Sequence, residues 1–118
     1  MKMDLNMKEK KKLIAEALLI EQAGAFSIVL ECISPETAKE ITSMIKIPTI
    51  GIGSSSYCDG QILVTDDMLG ISGFYPKFVK KYANLKRVIE KAVKKYSREV
   101  ILNKFPSTKN FLNGTKLK

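Results

Sequence analysis

Glu31 is the residue whose position in this sequence most suggests chemistry. It follows a short, largely apolar run over residues 26–30, and the turn signal Ser34-Pro35 comes shortly after it. Apolar runs of this length bounded by turn residues are typical of a strand buried on both faces, as in a parallel sheet covered by helices. Glu31 would then lie at the carboxyl end of the strand, where α/β sheets bind ligands and project catalytic side chains. The alternative is a carboxylate that turns outward into solvent.

Other reactive side chains are sparse. The chain has no histidine, which excludes Ser-His-Asp and Cys-His nucleophilic schemes and the usual zinc sites, so acid–base work falls to carboxylates, lysines or tyrosines. Cys32 and Cys58 lack Cys-x-x-Cys spacing, and we expect reduced thiols in or near the core. Asp66 and Asp67 precede Met68, and we interpret them as caps of a short helix in preference to metal ligands.

A glycine pair, Gly51 and Gly53, is followed by three serines and invites comparison with a dinucleotide-binding loop. The third glycine of that fingerprint is absent, and the next run, Gln61–Val64, resembles a strand where the fingerprint requires a helix. We therefore interpret this segment as a strand whose glycines allow backbone to approach a neighbour or a ligand closely.

Composition indicates one soluble domain. The chain has 118 residues, of which 45% are hydrophobic, and this suffices for one core. Its apolar runs are far shorter than the roughly 18 residues of a membrane span, and its start lacks the apolar segment of a secretory signal, so we expect a cytoplasmic protein. Thirteen of the twenty Lys/Arg residues lie in 76–118, together with only two of the twelve Asp/Glu residues. The basic character therefore belongs to the C-terminal third.

The elements that must position Glu31 follow from apolar periodicity and turn signals. Ser34 and Pro35 predict the cap and first position of a helix whose buried stripe is Ala38, Ile41 and Ile45. This helix would connect the strand at 26–31 to a strand at 47–52 in a parallel βαβ unit, with 61–64 next in the sheet. Further helices are predicted from Asp4 or Asn6 to Gln22, with an apolar face at Leu13, Ala17, Leu18 and Ile20, from Pro76 to Tyr82, and from Asn84 to Leu102.

The order helix, strand, helix, strand, strand, helix defines an α/β protein with parallel strands. A (β/α)₈ barrel takes roughly 250 residues and eight strands, so we expect this chain to be the C-terminal portion of such a barrel, incomplete by itself. We assign residues 1–105 to the barrel portion and 106–118 to an irregular tail.

Several segments resemble the ketopantoate hydroxymethyltransferase (3-methyl-2-oxobutanoate hydroxymethyltransferase) family, in its C-terminal part only. The similarity runs from about residue 6 to residue 106 in the family's order and spacing. It is carried by EQAGAFSIVLEC at 21–32, IPTIGIG at 47–53, CDGQILV at 58–64, MLG at 68–70, PKFV at 76–79 and Phe105-Pro106.

The resemblance implies a (β/α)₈ enzyme of pantothenate biosynthesis that forms homo-oligomers. It implies Mg²⁺ as cofactor, and transfer of a hydroxymethyl group from 5,10-methylenetetrahydrofolate to the 2-oxo acid 3-methyl-2-oxobutanoate, giving 2-dehydropantoate. Glu31 matches the family's catalytic proton acceptor. Removing a proton next to a carbonyl requires a positioned base, and a metal can stabilise the enolate oxygen that results.

Three departures from the family pattern bear on this implication. The family's Mg²⁺ ligands and most of its oxo-acid ligands lie in an N-terminal half that has no counterpart here, so we assign no metal-binding residue. Ser54-Ser55 stands where Ala-Gly is usual, and Asp66 stands where a histidine is common. We therefore expect the isolated chain to be inactive unless another polypeptide supplies the rest of the barrel.

Two other functions are compatible with the sequence. One is an inactive truncated remnant of the enzyme. The other is a small basic nucleic-acid-binding module, suggested by the charge of residues 76–118. Against it, the lysines surround an amphipathic helix, and the spacings of Phe74, Tyr75, Phe78 and Tyr82 suit packing rather than base stacking.

Overall fold

The computed structural model describes residues 7–112 of the chain. The caps proposed at Asp4 and Asn6 lie outside these residues. Between residues 7 and 112, no helix is long and apolar enough to cross a membrane. In chain order the elements are α1 Met7–Gln22, β1 Ile28–Glu31, α2 Pro35–Met44, β2 Thr49–Ile52, β3 Gly60–Gln61, α3 Thr65–Met68, α4 Leu85–Ile101 and a 3₁₀ helix, Thr108–Asn110.

The three strands form one parallel sheet in the order β1-β2-β3, as predicted. Glu31 pairs with Ile52, and Gly51 pairs with Gln61. The strands are shorter than predicted at several ends. In particular, β3 ends at Gln61, although the N–H of Ile62 still donates to the carbonyl of Gly51 at 3.0 Å.

The core lies between one face of this sheet and the helices α1 and α2. Leu30 of β1 is buried against Ala17 of α1 and against Ala38 and Ile41 of α2, and Ile45 and Cys58 complete the buried cluster. The helix start predicted at Ser34 is confirmed, because its hydroxyl accepts from the N–H of Thr37 at 3.3 Å. Of the α1 face predicted from the sequence, Ile20 does not join the core and remains 41% exposed.

The opposite face of the sheet is open to solvent. Val29 is 52% exposed, and exposure along β1 alternates because successive side chains point to opposite faces. The apolar pattern predicts burial on both faces, but the described residues place helices against only one of them.

The prediction of a helix from Pro76 to Tyr82 is wrong. A single turn, in which the N–H of Val79 donates to the carbonyl of Pro76 at 2.9 Å, is followed by irregular chain. The N–H groups of Tyr82 and Ala83 instead donate to the carbonyl of Met68. These bonds tie the segment back to the end of α3.

Helix α4 begins and ends within one residue of its predicted bounds, but none of its residues is buried. Val88, Val93 and Tyr96 are each about 60% exposed. Asn84 occupies the predicted cap position without a side-chain hydrogen bond to the helix. Beyond α4, part of the segment expected to be irregular forms the 3₁₀ helix at Thr108–Asn110, and residues 113–118 lie outside the described part of the chain.

Candidate active site

Glu31 is the last residue of β1, at the carboxyl end of the parallel sheet, where the sequence places it. Because Leu30 points into the core, the Glu31 side chain projects from the opposite face of the strand, away from α1 and α2. The residue is exposed. Within residues 7–112, no hydrogen bond or ion pair engages its carboxylate, so this group is available to a substrate.

The backbone on both sides of Glu31 is held by the neighbouring strand and its loop. The hydroxyl of Ser54 donates to the carbonyl of Leu30 at 2.9 Å, and the N–H of Cys32 donates to the carbonyl of Ile52 at 2.9 Å. Cys32 has a φ of 54°, so the chain turns away immediately after the carboxylate. These contacts fix the point from which the Glu31 side chain extends.

Only residues 53–59 connect β2 to β3, whereas parallel strands usually need about a dozen residues or more to cross over. Asp59 stabilises this short loop by accepting from the N–H of Thr49 at 2.9 Å, while its own N–H donates to the Thr49 hydroxyl at 3.1 Å. Thr49 is fully buried. At the other end of the loop, the Gln61 side chain donates to the carbonyl of Ser55 at 2.7 Å.

The close backbone approach predicted for the glycines is confirmed. Gly53 has a φ of +64°, and a Cβ built there would lie 2.9 Å from Cγ of Phe78. At Gly51, a Cβ would lie 3.0 Å from the hydroxyl of Ser54. The two serines that depart from the family pattern are accommodated by local hydrogen bonds: Ser54 bonds the Leu30 carbonyl, and the Ser55 hydroxyl accepts from the N–H of Tyr57.

An open groove of about 1150 Å³ lies beside this loop. Two loops and the start of α2 form its walls, and its lining includes both hydroxyl and charged groups. It is lined by Pro35, residues 53–56, residues 58–61 and residues 76–78. The groove therefore opens at the same edge of the sheet as Glu31.

The described residues do not fit a Mg²⁺ site. Asp67 is only 7% exposed and accepts from the hydroxyl of Ser72 at 2.6 Å, and Asp66 points to solvent in the first turn of α3. Across residues 7–112, no group of three or more His, Cys, Asp or Glu side chains could hold a metal ion. The capping prediction for these acids is also wrong, since Val64 occupies the cap position of α3 and no side chain caps the helix.

The two cysteines are free thiols, as predicted: Cys58 is buried and Cys32 is partly buried. Cys58 lies 3.8 Å from the Ser54 hydroxyl. Between residues 7 and 112, neither thiol forms a hydrogen bond with a basic side chain, so the geometry assigns the two cysteines no chemistry.

The aromatic residues of segment 74–82 are more exposed than their spacing predicts. Tyr75 and Tyr82 are 44% and 66% exposed, with the ammonium of Lys81 4.7 Å from the first ring and that of Lys80 5.0 Å from the second. The sequence argument that these aromatics serve packing is therefore wrong for Tyr75, Tyr82 and also Phe74, which is 55% exposed. Lysines alternate with accessible rings on this surface, a pattern also used to bind polyanions.

Parallel strands, a carboxylate at their carboxyl end and a loop groove beside it define part of an α/β enzyme scaffold. Residues 3–108 match the family model described as ketopantoate hydroxymethyltransferase, and the chain belongs to this family.

Among its curated relatives are three proteins named 3-methyl-2-oxobutanoate hydroxymethyltransferase. The protein of Pelagibacter ubique is 49% identical over 86% of this chain and 40% of its own length. The protein of Trichodesmium erythraeum is 55% identical over 80% of this chain and 36% of its own length. The protein of Clostridium beijerinckii is also 55% identical, over 85% of this chain and 37% of its own length. The chain thus spans about two fifths of the relatives that it matches.

Two features of the site could not be read from the sequence. The bond from Ser54 to the Leu30 carbonyl joins residues 24 positions apart, and the Asp59–Thr49 contacts join residues 10 positions apart. A serine and an aspartate in a glycine-containing loop signal only a turn. Their partners become visible once the strands are paired.

Proposed function

We propose that this chain forms the C-terminal part of a ketopantoate hydroxymethyltransferase barrel. In the proposed reaction, a hydroxymethyl group from 5,10-methylenetetrahydrofolate is transferred to 3-methyl-2-oxobutanoate, which gives 2-dehydropantoate. The observation that carries this proposal is the accessible carboxylate of Glu31 at the carboxyl end of β1, on the sheet face that α1 and α2 leave open.

In this proposal Glu31 is the general base. Its carboxylate takes the proton from the carbon next to the keto group of the oxo acid, and the electron pair of the broken C–H bond moves into the enolate. The nucleophilic carbon of the enolate then bonds to the methylene carbon of the donor. Both bonds from that carbon to the folate nitrogens break, water supplies the hydroxyl group, and tetrahydrofolate leaves with one proton from water and the proton taken by Glu31. The backbone contacts of Leu30 and Cys32 support this role, because a base must be held within hydrogen-bond reach of the proton that it removes.

The proposal also requires chain that these residues do not provide. The exposed Val29 face of β1 needs a cover that would also shield Glu31 from water, and Mg²⁺ needs ligands that residues 7–112 lack. We propose that the N-terminal half of the barrel supplies both, either as part of the same protein or as a separate polypeptide. Homo-oligomer formation, implied by the family, would bury further apolar surface.

Two alternatives remain distinct from this proposal. An inactive remnant would have Glu31 in the same place but no partner half, and the DNA immediately upstream of this reading frame would then encode no such half. A basic module that binds nucleic acid is favoured by one observation, the pairing of Lys80 and Lys81 with exposed tyrosine rings.

The testing experiment is reconstitution. The chain is co-expressed with the N-terminal half of the Clostridium beijerinckii relative, and hydroxymethyl transfer is measured with and without Mg²⁺. We expect Mg²⁺-dependent turnover by the pair and none by either part alone. Turnover by this chain alone, or a stable pair that lacks turnover, would contradict the proposal.

A further inference from the structure

The C-terminal half of α4 and the turn that follows it enclose a second concavity, separate from the groove at the edge of the sheet. It has a volume of about 510 Å³ and is open to solvent. Its lining is dominated by five exposed cations, which are Lys91, Lys94, Lys95, Arg98 and Lys104. Glu99 supplies the one carboxylate of the lining, so five positive charges and one negative charge give the concavity a formal charge of +4.

The turn after α4 is held in place by backbone hydrogen bonds and by an aromatic contact. The N–H groups of Lys104 and Phe105 both donate to the carbonyl of Glu99, at 2.7 Å and 3.2 Å. The ring of Phe105 also packs edge-on against the ring of Tyr96, with 5.6 Å between the ring centroids. These contacts fold the chain back on the helix, so that Lys104 lines the same concavity as the four cations of α4.

The charges of this concavity are not neutralised by residues 7–112. Within that range, neither the five cationic side chains nor the Glu99 carboxylate forms an ion pair or a side-chain hydrogen bond. Like charges three or four residues apart repel each other along a helix. The helix dipole favours cations only in the last turn, which accounts for Arg98 but not for Lys91 and Lys94. A multivalent anion bound here would relieve this repulsion.

The cations lie on the side of α4 opposite to its apolar face. Ala92 and Tyr96 belong to the apolar face, and Lys94 is two residues from each of them, which is about half a turn of the helix. Lys91 and Arg98 are three and four residues from Lys94 and therefore share its side of the helix. Chain that covers the apolar face of α4 thus leaves these cations accessible.

The chemistry of the lining selects a compact anion with several charges. Ammonium and guanidinium groups donate charge-assisted hydrogen bonds to phosphate oxygens, and a guanidinium group can do so in bidentate form. One phosphate group carries a charge of roughly −2, which neutralises only part of the concavity, whereas linked phosphates carry enough charge for all of it. No aromatic side chain of the described residues lines the concavity, so the bases of a nucleic-acid strand would find no surface for stacking.

We propose that this concavity binds a compact oligophosphate, an anion with two or more linked phosphate groups, through Lys94, Arg98 and Lys104. The bound anion stabilises α4 because it offsets the repulsion among the cations. This site lies outside the proposed transfer reaction and does not depend on it.

The test is equilibrium dialysis of inorganic triphosphate against the purified full chain at physiological ionic strength. The double variant Lys94→Gln/Arg98→Gln should bind triphosphate about tenfold more weakly, since an exposed charge pair is worth about threefold in affinity. The double variant Lys46→Gln/Lys86→Gln is the matched control, because it loses the same net charge at exposed positions outside the concavity and should bind nearly as the natural chain does. Glu99→Gln removes the one carboxylate of the lining and should tighten binding by about two- to threefold.

Amide hydrogen exchange gives a second measurement. Triphosphate should slow the exchange of α4 amides in the natural chain but not in Lys94→Gln/Arg98→Gln. The inference would be overturned by absence of binding at millimolar triphosphate, by equal losses in the two double variants, or by weaker binding in Glu99→Gln. Displacement of triphosphate by single-stranded RNA at equal phosphate concentration would overturn the assignment to a compact anion.

Discussion

The contact between Gly53 and Phe78 allows a sharp test of the loop geometry. In Gly53→Ala, the backbone would have to keep a φ of +64°, which costs an L-residue about 1–2 kcal/mol. The new Cβ would lie 2.9 Å from Cγ of Phe78, so the ring must move by several tenths of an ångström, and overpacking of this kind costs about 1–3 kcal/mol. We expect the free energy of opening of β2 to fall by roughly 2–5 kcal/mol, the sum of the two costs, measured by amide hydrogen exchange.

A double-mutant cycle separates the two costs. In a Phe78→Ala background, Gly53→Ala should keep the backbone cost and a tight 3.2 Å contact with the Cβ that remains at position 78, but lose the clash with the ring. This leaves a coupling of up to about 3 kcal/mol between the two sites. Gly24→Ala is the control for strain alone, because Gly24 has a φ of +97° and no atom within 4 Å of the added Cβ. This control should destabilise the chain by the backbone cost alone, with no dependence on residue 78. A coupling near zero would show that the Phe78 ring does not lie on the loop.

Three further outcomes are expected. Ile41→Ala, at a residue only 1% exposed, should lower the stability of the core by about 2–5 kcal/mol in hydrogen exchange, whereas Met44→Ala at a 45% exposed position should change little. The purified chain should elute above monomer size on size exclusion and shift with concentration, since the β1 face and α4 expose apolar side chains; a sharp monomer with a cooperative thermal transition would contradict this. Labelled single-stranded RNA should not shift at physiological salt, and a salt-dependent shift abolished by Tyr82→Ala would favour the nucleic-acid alternative.

Local signals in the sequence were sufficient for the strand–helix–strand unit. Ser34-Pro35 predicted the start of α2, and the spacing of two apolar runs predicted a parallel pair with Glu31 at its carboxyl end. Both follow from short-range rules of capping, strand composition and crossover handedness. The catalytic role of Glu31 stays a prediction, because the geometry shows only that its carboxylate lies at the carboxyl end of β1 and is accessible to solvent.

Features set by distant contacts were predicted less well. The spacing of apolar residues between Pro76 and Tyr82 predicted a helix. Instead, the N–H of Tyr82 donates to the carbonyl of Met68, and this bond attaches the segment to the end of α3. Periodicity identified the apolar face of α4 without indicating that residues 7–112 would leave it unburied. Burial depends on what lies opposite a face, and the sequence pattern of the face itself does not contain that information.

The central claim is that Glu31 removes the proton, and turnover of the reconstituted enzyme tests it most directly. Glu31→Gln keeps the size and hydrogen-bonding capacity of the side chain but removes the base, so the rate of hydroxymethyl transfer should fall by roughly 10²- to 10⁴-fold with oxo-acid binding largely retained. Glu36→Gln, an exposed carboxylate in the first turn of α2, is the matched control and should retain full activity. A Glu31→Gln enzyme that turns over at the rate of the unmodified pair would contradict the assignment.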